Sequence, residues 1–249
     1  VIERVGSLGQ EGLGRNCTIP ADVALGEDHD PQAALIRLFI LQQAVPSKAV
    51  AAAIDLDALV AAGVVAIDGD TVCAAVDIRP FASPDDGASG WVVSDLTPGL
   101  DQVTAPTRPD YVLGVSPAST TLAQLIARTP VGSALDLGTG CGVQSLHLAR
   151  HVQKVVATDV NERAIDLAGL TLALSGAHAD LRVGSLFEPV AGERFDLIVS
   201  NPPYVMSPPS EEESTLAYRE TNLLGDGLVE AIVRQAPDHL NPGGSLQLL

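Results

Sequence analysis

A run of five residues, Ser200-Asn201-Pro202-Pro203-Tyr204, follows an apolar stretch and carries groups suited to holding a planar nitrogen. The Asn201 side-chain oxygen and the Pro202 carbonyl oxygen can accept both N–H hydrogens of an amide or an exocyclic amine. These acceptors turn the developing lone pair toward an electrophilic methyl group and stabilise the charge that appears on the nitrogen. Tyr204 offers a ring for stacking. The motif predicts methyl transfer to a planar nitrogen; the alternative is a simple strand-terminating turn.

A glycine loop upstream of this motif predicts the binding site of an adenosine cofactor. The loop covers residues 136–142, between a predicted buried strand over 131–137 and a predicted helix over 143–150. Glycines at such a turn let a ligand approach backbone N–H groups. The next strand ends on Asp159, a carboxylate suited to the hydroxyl groups of a ribose. The loop by itself is also compatible with a dinucleotide-binding fold.

In their order along the chain, five motifs resemble those of class I S-adenosylmethionine-dependent methyltransferases. Within that group they are most similar to the HemK-type family, which methylates the glutamine side-chain nitrogen of release factors. The resemblance covers roughly residues 111–249, and the combination is far more specific than any single motif. The motifs are residues 136–142, Asp159, residues 184–189, residues 201–204 and residues 225–228.

The resemblance implies a cofactor, S-adenosylmethionine, and roles for individual residues. Asp136 and the glycine loop would border the methionine end of the cofactor, Asp159 would bind the ribose, and Ser185 with Leu186 would flank the adenine. The implied catalytic residues are Asn201, Pro202 and Tyr204. The implied cofactor-binding residues are Asp136, Gly138, Thr139, Gly140, Gly142, Asp159, Val160, Ser185, Leu186 and Asn201.

The predicted fold class is α/β, with a Rossmann-like, mostly parallel sheet in a methyltransferase domain over residues 109–249. A small winged-helix-like α+β domain over residues 1–108 precedes it, and turn-forming residues between 97 and 110 mark the boundary. We expect the cofactor across the carboxyl ends of the first two strands, at the switch in strand order. The chain stops within the fifth strand, which predicts a domain truncated there. The predicted strands are 133–137, 154–159, 180–184, 195–200 and 245–249.

The N-terminal domain is predicted from three helices followed by a hairpin, the order of a winged helix. The first 110 residues carry six Lys and Arg against sixteen Asp and Glu, a net charge of −10. A surface that binds phosphates needs the opposite sign, so this domain is expected to contact protein or to cover the catalytic domain. The predicted helices cover 32–44, 47–54 and 55–62, and the predicted strands cover 64–67 and 71–78.

Composition predicts a soluble, cytoplasmic protein that uses no metal. The 249 residues contain no apolar run long enough to cross a bilayer, and the three cysteines are far apart. His147 and His151 have the spacing of a zinc site but lack its glutamate, and are interpreted as helix-surface residues. Three consecutive glutamates at 211–213 are interpreted as a solvated loop face, with contact to a basic substrate segment as the alternative.

Three functional hypotheses follow. The first is a methyltransferase that acts on a protein side-chain amide, the glutamine of a substrate such as a release factor. The second is an RNA or DNA methyltransferase that acts on an exocyclic amine of adenine or guanine, because the same motif serves a flipped base. The third is a non-catalytic cofactor-binding module. The chain departs from the family in two places: Ser185, at the implied adenine contact, stands where relatives often carry an acidic residue, and residues 114–119 lack the Pro-Arg-Pro loop usual in the release-factor enzymes.

Overall fold

The structure is a computed structural model that describes residues 1–28, 30–103, 107–202 and 227–249. It divides into two compact units. The first consists of Val1–Pro80 and Ser94–Thr107, and the second of Phe81–Val93 and Arg108–Leu249. Tyr204, the glutamates at 211–213 and the first two residues of the motif at 225–228 lie outside the described residues.

The first unit contains the three helices and the hairpin that the sequence predicts. Asp55 caps the third of these helices, its side chain accepting a hydrogen bond from the Ala58 N–H at 3.0 Å. A short strand before the second helix joins the hairpin in an antiparallel sheet of order β1-β3-β2. The elements are α1 (Ile2–Leu13), α2 (Ile19–Leu25), α3 (Pro31–Phe39), β1 (Val45–Pro46), α4 (Ser47–Ala51), α5 (Leu56–Ala61), β2 (Val65–Asp68) and β3 (Thr71–Ala74).

Several predicted boundaries in this unit are wrong. Helix α3 ends at Phe39 rather than at residue 44, and Gln42 has a φ of 55°, which is incompatible with a continuing helix. The predicted strand over 71–78 is interrupted after Ala74, and β4 (Asp77–Ala82) pairs instead with β5 (Ser89–Ser94). The division between the two units falls inside β4, after Pro80.

The second unit is built on a five-stranded parallel sheet of order β10-β9-β6-β7-β8. All five predicted strands are present. The strand order reverses between β6 and β9, so the switch lies between the first and fourth strands of the sheet and not between the first two as predicted. The elements are α6 (Pro117–Leu125), β6 (Val131–Leu137), α7 (Val143–Leu148), β7 (Val152–Asp159), α8 (Glu162–Leu174), β8 (Asp180–Val183), β9 (Phe195–Ser200), α9 (Gly227–Gln235) and β10 (Leu240–Leu248).

The central strands are buried on both faces because their side chains alternate between two apolar clusters. One cluster contains Leu135, Val156 and Ile198. The other contains their neighbours along the strands, together with Leu122 of α6 and Leu148 of α7. This packing fixes the carboxyl ends of β6, β7 and β9 side by side. Within the described ranges, no helix is both long and apolar enough to cross a membrane.

Candidate active site

A cavity of about 310 Å³ lies at the carboxyl ends of β6, β7 and β9. The loops that follow these strands line it, and so does the segment before α6, which includes part of the 114–119 stretch that departs from the family pattern. Most of the predicted site residues meet here. Those that line the cavity are Gly138, Thr139, Gly140, Asp159, Val160, Ser185, Leu186, Asn201 and Pro202.

Asp136 lies beneath the glycine loop and does not line the cavity. Its side chain is buried, and one carboxylate oxygen accepts hydrogen bonds from the hydroxyl groups of Thr139 and Ser145, both at 2.7 Å. Burial raises the pKa of Asp136 to about 6 despite these two donors. The carboxylate therefore ties the loop to helix α7 from below.

The glycines of the loop divide into two kinds. Gly138 and Gly140 have φ values of 73° and 55°, and a Cβ atom on either would meet nothing within 4 Å, so this part of the loop faces open space. The N–H groups of Gly138 and Thr139 both donate to the Thr158 carbonyl at 2.9 Å, which fixes the loop to the end of β7. Gly142 lies outside the lining. A Cβ atom there would approach Ala168 of α8 to 3.1 Å, so this glycine permits helix packing.

Asp159, at the end of β7, is held by backbone donors. One carboxylate oxygen accepts from the Gly140 N–H and the other from the Asn161 N–H, each at 2.9 Å. Burial raises the pKa of Asp159, and the backbone donors oppose that effect. Each oxygen keeps a lone pair for a further donor, so the group can accept hydrogen bonds from a ribose diol.

Asn201 presents a buried acceptor at the end of β9. The preceding Ser200 donates its hydroxyl hydrogen to the Leu137 carbonyl at 2.7 Å, which fixes β9 against β6. The Asn201 Oδ1 atom is buried and accepts no hydrogen bond from the residues that the structure describes. Leaving such an oxygen without a donor costs about 1–3 kcal/mol, so its position on a cavity favours a ligand that donates.

Two further buried oxygens on the cavity lack donors among the described residues, and sequence reasoning missed both. They are Gln144 Oε1 at the start of α7 and Thr158 Oγ1 at the end of β7. Six buried side-chain nitrogen and oxygen atoms in the described part of the chain have no partner, and three of them belong to residues lining this cavity. Unpaired acceptors are therefore concentrated where a ligand could satisfy them.

The histidine pair is not on a helix surface as predicted. His147 is buried, with its Nδ1 atom 2.6 Å from the Asp86 carboxylate and its ring edge-on to Phe81. His151 lies beyond the end of α7 at Leu148, and both its ring nitrogens are buried. The segment containing Asp86 covers this face of the helix, which the spacing of the histidines could not reveal. No cluster of three metal-binding side chains occurs among the described residues.

Comparison with known proteins agrees with this geometry. A family model described as "Methyltransferase small domain" matches residues 113–249, and one described as "Domain of unknown function (DUF7059)" matches residues 1–75. A release factor glutamine methyltransferase of Xylella fastidiosa is 41% identical over 122 residues, which make up 45% of this chain and 44% of the relative.

Two other relatives differ in substrate. A ribosomal protein uL3 glutamine methyltransferase of Bradyrhizobium diazoefficiens is 35% identical over 47% of this chain and 40% of its own length. A ribosomal RNA small subunit methyltransferase C of Klebsiella pneumoniae is 32% identical over 60% of this chain and 41% of its own length. The chain thus spans less than half the length of these three relatives. Because the first family model covers more than half of the chain, the chain belongs to the methyltransferase small domain family, among the S-adenosylmethionine-dependent methyltransferases.

Proposed function

We propose that the protein transfers a methyl group from S-adenosylmethionine to the side-chain nitrogen of a glutamine in a protein substrate. The observation that carries this proposal is the buried, unpaired Asn201 Oδ1 on the cavity. A primary amide has two N–H donors. Asn201 can accept one, and the carbonyl of the neighbouring Pro202 can accept the other. Tyr204, outside the described residues, remains the predicted stacking partner.

The lining of the cavity fits the proposed cofactor. Asp159 would accept hydrogen bonds from the ribose, the open glycines would lie against the cofactor backbone, and Leu186 with Val160 would offer apolar surface to the adenine. When bound, S-adenosylmethionine supplies a methyl group made electrophilic by a positively charged sulfur. The protein then contributes alignment of the nitrogen and acceptors for its hydrogens.

Transfer would be direct. Cys141 lines the cavity, but burial raises the pKa of its thiol to about 11. At neutral pH the thiol stays protonated and is a poor nucleophile, so a covalent methyl-cysteine step is disfavoured. Asn201 and Pro202 would hold the acceptor nitrogen while it takes the methyl group, with S-adenosylhomocysteine as the leaving group and the displaced N–H proton passing to water.

A second candidate is methylation of an exocyclic amine in RNA. The observation in its favour is the similarity to the ribosomal RNA methyltransferase of Klebsiella pneumoniae, which extends over 154 residues. Charge argues against it, because the whole chain has a net charge of −17 and residues 111–249 carry eight Lys and Arg against fifteen Asp and Glu. Phosphate binding requires a basic surface. The protein amide is therefore the better-supported acceptor.

The test is transfer of radiolabelled methyl from S-adenosylmethionine to separated fractions, one of ribosomal and release-factor proteins and one of ribosomal RNA. We expect protease-sensitive, nuclease-resistant label, released as methylglutamine on enzymatic digestion. Asn201→Ala should lower the rate by about 100-fold or more, because the positioned acceptor acts on the transition state. Binding of S-adenosylhomocysteine should change by no more than about threefold.

The matched control is Asn241→Ala, which removes an asparagine that contacts Asp196 near the opposite end of β9 and leaves the cavity intact. Its transfer rate should equal that of the wild type. Nuclease-sensitive label would replace the proposal with the RNA candidate. Tight cofactor binding with no Asn201-dependent label in either fraction would support the non-catalytic binding module instead.

A further inference from the structure

Gln144 places an unsatisfied amide oxygen in the cavity. It is the second residue of α7, its side chain is 3% exposed, and it lines the cavity. The Nε2 atom donates to the Ser119 carbonyl at 2.7 Å. The Oε1 atom is buried and accepts nothing from the described part of the chain. Neither the sequence motifs nor the family match assigns a role to this residue.

The orientation of the Gln144 amide follows from its partner. The Ser119 carbonyl can only accept a hydrogen bond, so the amide nitrogen must face it and the amide oxygen must face away. Ser119 is itself fixed, because its side chain and that of Ser116 cap the start of α6 reciprocally. The oxygen is therefore a preformed acceptor that cannot turn away without losing the bond to Ser119.

The position of Gln144 in the fold indicates which part of a ligand it would meet. The proposed ribose contact, Asp159, ends β7, and the proposed acceptor contact, Asn201, follows β9. Strand β6 lies between these two strands in the sheet, and Gln144 follows the β6 loop. A sulfonium centre that joins the ribose to the methyl group would lie between the two outer contacts. Its third substituent, the amino-acid group of the cofactor, would then be the part nearest the start of α7.

The amino-acid group of the cofactor has a carboxylate and an ammonium group, and the chemistry of the Gln144 oxygen favours contact with only one of them. A carboxylate needs donors, whereas Oε1 is only an acceptor. An ammonium group has three N–H donors and forms short, charge-assisted hydrogen bonds with carbonyl oxygens. We propose that Gln144 is a cofactor-positioning residue whose Oε1 accepts a hydrogen bond from the α-ammonium group of S-adenosylmethionine. This inference rests on the proposed function for the identity of the cofactor.

The experiment measures binding by calorimetry and needs no turnover. S-adenosylhomocysteine carries the ammonium group, and 5′-methylthioadenosine lacks the whole amino-acid group. Gln144→Met, of similar volume, should weaken S-adenosylhomocysteine binding by about 10- to 100-fold, the usual range for one hydrogen bond to a charged group. Binding of methylthioadenosine should stay within about twofold of the wild type. An equal loss for both ligands, or no loss for either, would overturn the proposal.

Two controls keep the result interpretable. Thr158→Val removes another unpaired oxygen of the cavity, at the end of β7, and should affect the two ligands equally. The desamino analogue of S-adenosylhomocysteine tests the wild type directly, without a variant that could fail to fold. It should bind about 10- to 100-fold more weakly than S-adenosylhomocysteine to the wild type, and the difference should be much smaller for Gln144→Met. Equal differences in both proteins would contradict the contact. If wild-type protein bound none of these ligands, the proposed function itself would fail, which is a different result.

Discussion

Helix α7 contacts a buried carboxylate on each of two faces, and the two carboxylates behave in opposite ways. Ser145 donates to Asp136 beneath the glycine loop, and His147, two residues later and on a different face, meets Asp86. Burial raises the pKa of Asp136 to about 6. Burial acts on Asp86 as well, but its hydrogen bonds with His147 and the Ala88 N–H outweigh it and lower the pKa to about 2.

The opposite pKa shifts of Asp136 and Asp86 show what each contact of α7 contributes. Asp136 has only uncharged donors, the hydroxyl groups of Thr139 and Ser145 and the Ser145 N–H, which offset part of the cost of burying a charge, so its ionised form destabilises the fold while it organises the loop. Asp86 has an imidazole and a backbone donor, and its ionised form is favoured in the folded protein. We infer that the contact of α7 with Asp86 holds the helix and that the contact with Asp136 shapes the site.

The largest expected effect is on the Asp86 side. Asp86→Ala should lower the free energy of unfolding at pH 7 by about 3 kcal/mol, because it leaves the buried imidazole of His147 without its partner. Urea denaturation measures this change. Asp85→Ala is the matched control, since Asp85 is exposed, and it should cost less than about 0.5 kcal/mol. Equal effects of the two substitutions would show that the contact between Asp86 and His147 contributes no more to the free energy of unfolding than an exposed aspartate does.

A smaller effect is expected in the pH dependence that Asp136 imposes. Its pKa is raised from 3.8 to about 6 on folding, so the native state binds more protons between these values and stability falls as the pH rises through them. From pH 4 to pH 7 this one group should remove about 2 kcal/mol.

The measurement for Asp136 compares urea denaturation at several pH values in wild type and Asp136→Asn, without ligand. The variant should lose this component of the pH dependence. A pH profile that is the same in both proteins would mean that Asp136 titrates normally. Asp86 should act in the opposite direction: its contribution is present above pH 3.8 and is lost as the pH falls toward 2.

The sequence predicts the sheet well because its central strands are buried on both faces and read as short apolar runs. Strand ends are less predictable. Strand β10 begins at Leu240, five residues before the predicted start, because its register with β9 shifts between Leu240 and Ser245 around a glycine with a φ of 83°. A turn-like Asn-Pro-Gly-Gly run conceals that irregular start.

The residues of the candidate site also differ in how well the sequence predicts them. Asn201 could be found from the sequence because its chemistry is encoded in adjacent residues. The role of Gln144 could not, because its amide is fixed by Ser119, 25 residues away in sequence. The pairing of Asp86 with His147 joins residues 61 apart, and the sequence indicates a surface position for His147 only because the histidine pair lacks the glutamate of a zinc site. Contacts that depend on the fold leave no local pattern.

The smallest expected effect comes from removing a single oxygen atom that contacts Asp136 but not Asp86. Ser145→Ala removes one of the two hydroxyl donors to Asp136 and changes the side-chain volume very little. It should lower the free energy of unfolding at pH 7 by about 1.5 kcal/mol, the usual cost of removing a donor to a buried charge. At pH 4, where Asp136 is mostly protonated, the loss should shrink, because a neutral carboxyl group needs the donor less.

This pH dependence is the decisive part, since a packing defect would cost the same at both pH values. Gln144→Met is the matched comparison on the same helix, because the Gln144 side chain donates to Ser119 and, among the described residues, is not a hydrogen-bond donor to Asp136, so its effect on stability should not vary between pH 4 and pH 7. If the cost of Ser145→Ala were equal at both pH values, Ser145 would act only by packing. The charge beneath the glycine loop would then depend on the Thr139 hydroxyl and the Ser145 N–H.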